Sequence, residues 1–454
     1  MRTLIADAVV ATNDDSGTVL LDGAVLVEGE RIVEIGPSSA VRARHGVPDR
    51  VIDGRGKLVM PGFVCTHTHV GYALFRGRVE DGGRETFLTQ LVPMAGIMTA
   101  AERLAIGSLG YLELLRSGVT TIVQVEEDAD VFPGFVERLG VRSFIGVMVQ
   151  DVEPARVLDG TFATSPDMCR AQLAQAVGFA EEWRNAPGRV KPLLMVNSTM
   201  TSSPELLRGI RRAADRLGVP LSIHMGIGAG ESDVTMRLHG KSPFAYARDH
   251  GLLGPDVLAA HCFHVTPADI DILAETKTSI AHCPQMNSVR GLIAPAQAFR
   301  DRGLNVTLGI DNYFADFFEV LRSAVIVARI KGEEGSLMQP STVLRMATVN
   351  GARALGLSDV GVLAAGRKAD LLLLNCRYPG LTPLLDPVPS VVYHAHMGNV
   401  DTVLVDGEIL VAGGKSTRVE EAALFDEAQR CAEAAWRRFV DRYGDIRARR
   451  EQLH

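Results

Sequence analysis

The 454-residue chain has few cysteines, no surplus of positive charge and no long apolar run, and each shortage removes a class of function. Six cysteines, none in a CxxC pair, supply neither a disulfide framework nor a cysteine-based zinc site. Lys and Arg number 47 against 54 Asp and Glu, a formal charge of -7. Without a basic footprint, neither nucleic acid nor an anionic membrane surface is an expected partner. No apolar stretch approaches the roughly 18 residues a spanning helix needs. The opening residues MRTLIADAVVATNDD meet an acid at Asp7 and hold no long apolar core, so they do not read as a signal peptide. Internal repeats and low-complexity tracts are missing as well. A reducing cytoplasm is the expected compartment. What is present is an ordinary globular composition, 46% hydrophobic and 22% charged. The length exceeds what one compact core usually takes, so a large barrel plus something smaller is expected.

Residues 1–60 alternate apolar and polar positions in short β-rich segments: TLIADAVVATNDD, AVLVEGERIVEIG and VIDGRGKLVMPG. Asn13-Asp14, Gly29 and Gly54 punctuate them. The same texture returns within residues 355–420, in GVLAAGRKADLLLLN and VDTVLVDGEILVAGG. The economical reading is one small β-sandwich built from both ends of the chain. Between its halves, residues 61–354 change rhythm. Apolar runs (FVCTHTH, VTTIVQV, RSFIGVMVQ, KPLLMVN, PLSIHM, VLAAHC, TSIAHC, NVTLGID) alternate with helical patterns such as SPELLRGIRRAADRLG and PADIDILAETK. That alternation implies βαβ units and a parallel sheet, and eight such strands close a barrel. The predicted fold is α/β, a (β/α)8 barrel with a small β-sandwich. Residues 421–454 are predicted as a C-terminal helical segment, with Phe425, Ala428, Ala432, Ala435, Trp436 and Phe439 at spacings of one, three and four.

In PGFVCTHTHV, His67 and His69 stand two apart on a strand and so share one face. Two neutral imidazoles aimed at one point suit a borderline metal, although HxH alone is equally a polar strand end with two solvated histidines. Cys65 shares that face one pleat deeper and reads as packing. Three further residues close apolar runs: His224 ends PLSIHM, His261 ends VLAAHC and Asp311 ends VTLGID. Any one of them alone reads as a core histidine or a capping aspartate. Five at the same end of successive barrel strands are hard to explain structurally, since burying them unpaired is costly, and that end is where this architecture puts its chemistry.

These residues, with Arg76-Gly77, GVTT at 118–121, HGKSP at 239–243 and ATVNGARALGL…GVLAAGRKADLLLLN, resemble the amidohydrolase superfamily. Within it they resemble the branch of triazine chlorohydrolases and methylthioadenosine/S-adenosylhomocysteine deaminases. The resemblance runs over nearly the whole chain. It implies that His67, His69, His224 and Asp311 bind one divalent metal, with zinc expected and iron, cobalt or nickel as alternatives. It implies that His261 contacts the attacking water or the substrate, and that Asp311 takes a proton from that water. Dinuclear relatives carry a bridging lysine on strand four. Here Lys191 precedes the strand, which favours one metal. Such relatives often assemble, so a homo-oligomer is expected.

Three departures touch the pocket. Deaminases of this branch usually place a glutamate three residues after the strand-five histidine, and position 227 is Ile. The nearest carboxylate, Glu231, is either the displaced proton shuttle or a solvated loop residue. Strand four ends in Asn197-Ser198 where a histidine is usual, and Asp311 is followed by NYFADFFEVLR, which lacks the serine-asparagine-asparagine run. Asn197, Gln150, Tyr313, Phe314 and His282 are the candidate substrate contacts. Glu126, Glu127 and Asp151 read as polar loop or as pocket lining. These changes argue against a standard adenosine-type ligand and fit a more apolar amide, urea or heterocycle. The expected activity is hydrolysis of a non-peptide C–N bond in a small molecule. The alternatives are hydrolytic dechlorination of a heteroaromatic ring, which needs no proton for its leaving group, and a non-catalytic scaffold.

Overall fold

The computed structural model describes residues 1–82 and 90–444; residues 445–454 of the predicted C-terminal segment lie outside them. The eight expected strands are present: Phe63–Thr68, Val119–Glu126, Arg142–Val149, Leu194–Ser198, Leu221–Met225, Val257–His261, Ser279–His282 and Val306–Leu308. We call them barrel strands one to eight. Each pairs in parallel with the next in sequence. Between strands eight and one the seam narrows to a bridge joining Thr68 and Asp311, a 2.7 Å hydrogen bond between the Thr66 and Thr307 hydroxyls, and amide donation from Ile310 and Asp311 to the His67 carbonyl. Glycine is required there, because a Cβ on Gly309 would lie 2.9 Å from that of His67.

Two strands differ from the sequence reading. Strand eight stops at Leu308 and not at Asp311, because the chain must pass close against His67 and then turn to φ 69° at Asp311. Strand four begins at Leu194, and Lys191 sits on a separate short strand, Val190–Pro192, beside strand three. The helices follow their local signals. SPELLRGIRRAADRLG becomes Pro204–Leu217, with Ser203 Oγ accepting from Leu206 N and Gly218 in the left-handed conformation at its end. PADIDILAETK becomes Pro267–Thr276, opened by a reciprocal capping box between Thr266 and Asp269.

The chain ends meet in one nine-stranded mixed sheet. Its joint is Lys57–Pro61, which pairs antiparallel with Leu371–Asn375 on one side and parallel with Arg2–Ala11 on the other. Below the barrel, where strand three begins, Arg142 is buried between Asp370 and Asp406 of this sheet. Arg189 and Lys368 also reach Asp406, at 2.8 and 2.7 Å. The C-terminal helix Glu421–Tyr443 lies against helix Ala100–Arg116 and the turn Val70–Phe75. Trp436 donates its indole N–H to the Leu74 carbonyl at 3.0 Å. Ala428, Ala435, Trp436 and Phe439 are buried as the periodicity predicts, but Phe425 is 43% exposed. Among the described residues, no helix is long and apolar enough to cross a membrane.

Candidate metal centre

At the C-terminal end of the barrel, strand one delivers His67 and, just past its end, His69. Strands five and six deliver His224 and His261, and the turn after strand eight delivers Asp311. All five are buried. The ring of His67 lies 4.9 Å from those of His69 and His224 and 5.2 Å from that of His261, centroid to centroid. Ligand atoms of His67, His69 and His224 fall within 4.8 Å of one another, and so do those of His67, His261 and Asp311. His261, Cys262 and Asp311 all hold positive φ (77°, 48° and 69°), a conformation that costs non-glycine residues free energy and that clusters at functional sites.

Backbone carbonyls fix which nitrogen two of the rings turn inward. His69 Nδ1 faces Val125 O at the end of strand two, and His224 Nδ1 faces Asn197 O at 2.7 Å. The two Nε2 atoms left over meet at 3.2 Å, and both ring nitrogens of His67 are buried with no hydrogen-bond partner among the described residues. Such nitrogens are stable neighbours only with a cation between them. Burial, and then the proximity of His67, pushes His69 down to about 3 and His224 well below its ordinary value. A proton does not fill the gap near neutrality, and the donor set fits a divalent metal. Burial opposes a charge on Asp311, but His261, His67 and Arg290 outweigh it and hold the carboxyl well below its usual range. Its Oδ1 lies 3.6 Å from Nε2 of both His67 and His69, while Oδ2 turns to Arg290 Nη1 at 3.7 Å.

Glu231 is not a solvated loop carboxylate. It sits in the first turn of helix Ala229–His239 and is 2% exposed. One oxygen accepts from Thr199 Oγ1 at 2.6 Å and the other from the backbone N–H of Ile227 at 3.0 Å. The carboxylate is thus held against the backbone of position 227, the residue at which a glutamate is usual, and burial raises its pKa. His282 ends strand seven with both ring nitrogens buried and without a partner among the described residues, its pKa pushed down to about 4 by burial and by His261. Asn197 donates to Gln150 Oε1 at 2.6 Å and to Thr201 Oγ1 at 3.2 Å, so these two candidate contacts hold each other. Tyr313 is buried and its ring lies 5.4 Å from that of half-buried Phe314. Asp151 accepts from the backbone N–H and the hydroxyl of Ser203, the residue that caps helix Pro204–Leu217, a structural task. Burial lifts the Cys65 thiol to about 12, consistent with packing.

Three participants carried no signal in the sequence. Arg290 bridges Asp311 and Asn312; in the amide orientation that satisfies both partners, Asn312 donates to Asp311 Oδ1 at 3.3 Å and accepts from Arg290 Nη2 at 2.9 Å. Asn287 buries both amide atoms near His261 with no hydrogen-bond partner among the described residues. Tyr72 stacks on the His69 ring at 5.0 Å. Only the backbone brings them to the site.

Comparison with known proteins agrees with this geometry. Residues 58–410 match the model of the amidohydrolase family. A 5'-deoxyadenosine deaminase of Methanosarcina acetivorans is 32% identical over 437 residues, covering 95% of this chain and 97% of its own. A 5-methylthioadenosine/S-adenosylhomocysteine deaminase of Moorella thermoacetica is 32% identical over 418 residues, covering 90% and 94%. Among solved structures, an adenosine deaminase from Xanthomonas campestris with bound zinc superposes with a TM-score of 0.88 at 28% identity, over 95% of this chain and 98% of its own. Sequence, fold and site agree: the chain belongs to the amidohydrolase family.

Proposed function

We propose that His67, His69, His224 and Asp311 hold one divalent metal, zinc by preference, and that the enzyme deaminates an amino-substituted heterocycle of the adenosine-derivative class. A metal held there supplies Lewis acidity and brings the pKa of water toward neutrality. The remaining chemistry belongs to the chain's own groups. Asp311 points one oxygen inward and accepts a proton. Burial keeps His261 neutral near pH 7, with a pKa of about 4, so its ring is free to hydrogen-bond charge developing on the substrate. Glu231, protonated to higher pH than an exposed glutamate, donates a proton to the departing nitrogen.

The observation that carries this reading is the convergence of five buried strand-end residues, together with the burial of Glu231 on the segment that follows His224. A chloride leaving group needs no such donor, so Glu231 favours C–N cleavage over dechlorination. The buried imidazole of His67, unpartnered among the described residues, argues against a scaffold, because burying such a group without a metal is costly. Asn197, Tyr313 and Phe314 are proposed substrate contacts that favour a less polar sugar or substituent. The enzyme is proposed to act in the cytoplasm as a homo-oligomer.

Elemental analysis and ammonia release test the proposal together. The expected result is about one metal equivalent per chain and turnover of 5'-deoxyadenosine or 5'-methylthioadenosine in preference to adenosine. Asp311→Ala is expected to lose both metal and turnover. Full activity in that variant would overturn the ligand set, and the absence of ammonia release across the panel would overturn the substrate class.

A further inference from the structure

The end of barrel strand two touches three successive residues of the segment that follows strand one. Val125 O faces His69 Nδ1, Gln124 Oε1 accepts from Val70 N at 3.0 Å, and Glu126 Oε1 accepts from Gly71 N at 2.6 Å. Tyr72 then donates its backbone N–H to His69 O at 3.0 Å and stacks its ring on that imidazole, 5.0 Å between centroids at 22°. Glu126 is 0% exposed, and its other oxygen faces Arg103 Nη1 at 3.3 Å. Arg103, 1% exposed on helix Ala100–Arg116, also reaches Asp128 at 3.0 Å. A buried ion pair is a poor source of stability, because desolvation cancels much of its attraction. Its placement against the backbone of the His69 turn calls for another reason. The fit there has no slack: a Cβ on Gly71 would lie 2.6 Å from Glu126 Oε2.

We propose that Glu126, oriented by Arg103, is a positioning residue for the metal centre. Through the Gly71 N–H it fixes the turn from His69 to Tyr72, and so sets the direction in which the His69 imidazole points. The inference rests on the reading above that His69 is a metal ligand.

Two variants separate this role from simple stability. Glu126→Gln keeps an oxygen for Gly71 N while discarding the charge. Glu126→Leu combined with Arg103→Met removes the pair together and leaves no lone buried charge against helix Ala100–Arg116. Zinc dissociation constants are measured by competition with a chromogenic chelator, alongside the melting temperature of the metal-free proteins. Glu126→Gln is expected to bind zinc close to the parental affinity, and the double variant to lose about 10–100-fold, the usual cost of removing a group that orients a metal ligand. Parental zinc affinity in the double variant overturns the proposal. An equal loss in Glu126→Gln also does, since it traces the effect to charge and not to the Gly71 contact. If the double variant does not fold, Gly71→Ala attacks the same contact from the backbone side and must weaken zinc binding; unchanged affinity there overturns the proposal. His69→Ala is run in parallel. Zinc retained by that variant would sink the ligand assignment, whereas zinc lost there but kept in the double variant sinks only the positioning role.

Discussion

Glu231 shows how a side chain whose setting the spacing leaves open is decided by the local fold. It lies seven residues beyond His224, where spacing alone leaves a shuttle and a solvated carboxylate equally open. The helix that starts at Ala229 settles its burial, and the hydrogen bond from Ile227 N ties its carboxylate to the backbone of position 227. Glu231→Gln is therefore expected to lower kcat by about 10²–10⁴-fold, the span of general acid–base catalysis, with metal content unchanged. A near-parental rate would remove Glu231 from the reaction. In the parent, a raised pKa keeps the acid form present to higher pH. Turnover that depends on this proton should fall as pH rises through the raised value, and the alkaline limb should be absent from the Gln variant. Arg290 was illegible for a different reason. Nothing in QMNSVRG marks an arginine that will reach Asp311, because that contact joins the turn after strand seven to the turn after strand eight.

Elements were easier to read than contacts. A barrel strand buried on both faces is a short apolar run, and a run that closes on a histidine or aspartate marks its own C-terminal end. That is why all eight strands and the five convergent side chains could be located from sequence. Strand eight came out short because the limit on its length is steric: Gly309 must pass His67, a fact that belongs to two elements at once. The C-terminal helix was legible as amphipathic, but the pattern does not say which end of the stripe is covered, and Phe425 stays largely exposed. Its anchor is Trp436, packed edge-on to Phe75 at 6.0 Å and bonded to the Leu74 carbonyl. Trp436→Ala is expected to cost about 3 kcal/mol or more in denaturant unfolding, as a large buried aromatic typically does. The metal stoichiometry should hold, because strand two still grips residues 69–71 from the other side. Loss of metal in this variant would mean that the helix, and not strand two, holds the turn.

At the scale of the molecule, the barrel has two ends with separate tasks, chemistry above and attachment below. The attachment is the charge cluster of buried Arg142, Asp370 and Asp406 with half-buried Arg189 and Lys368. No periodicity announces it, since its members come from distant segments. Burial raises the pKa of Asp406, but Arg142, Lys368 and Arg189 outweigh that and hold it down to about 2, against an ordinary value of 3.8. A depressed carboxylate stabilises the fold above its unfolded pKa, and that contribution disappears as pH falls from near 4 toward 2. Asp406→Asn should abolish that part of the acid sensitivity in a titration followed by circular dichroism, at a cost on the order of 2 kcal/mol at neutral pH. An unchanged acid midpoint would show that the cluster does not couple barrel to sheet. The joint between Lys57–Pro61 and Leu371–Asn375 has a consequence for biogenesis. Strand Lys57–Pro61, once made, must wait with an open edge for a partner the ribosome supplies more than 300 residues later. Throughout that interval a barrel in the making stands beside an unfinished sheet, and a product truncated before residue 371 would carry a sticky edge at Lys57–Pro61 that its own partner strand never covers.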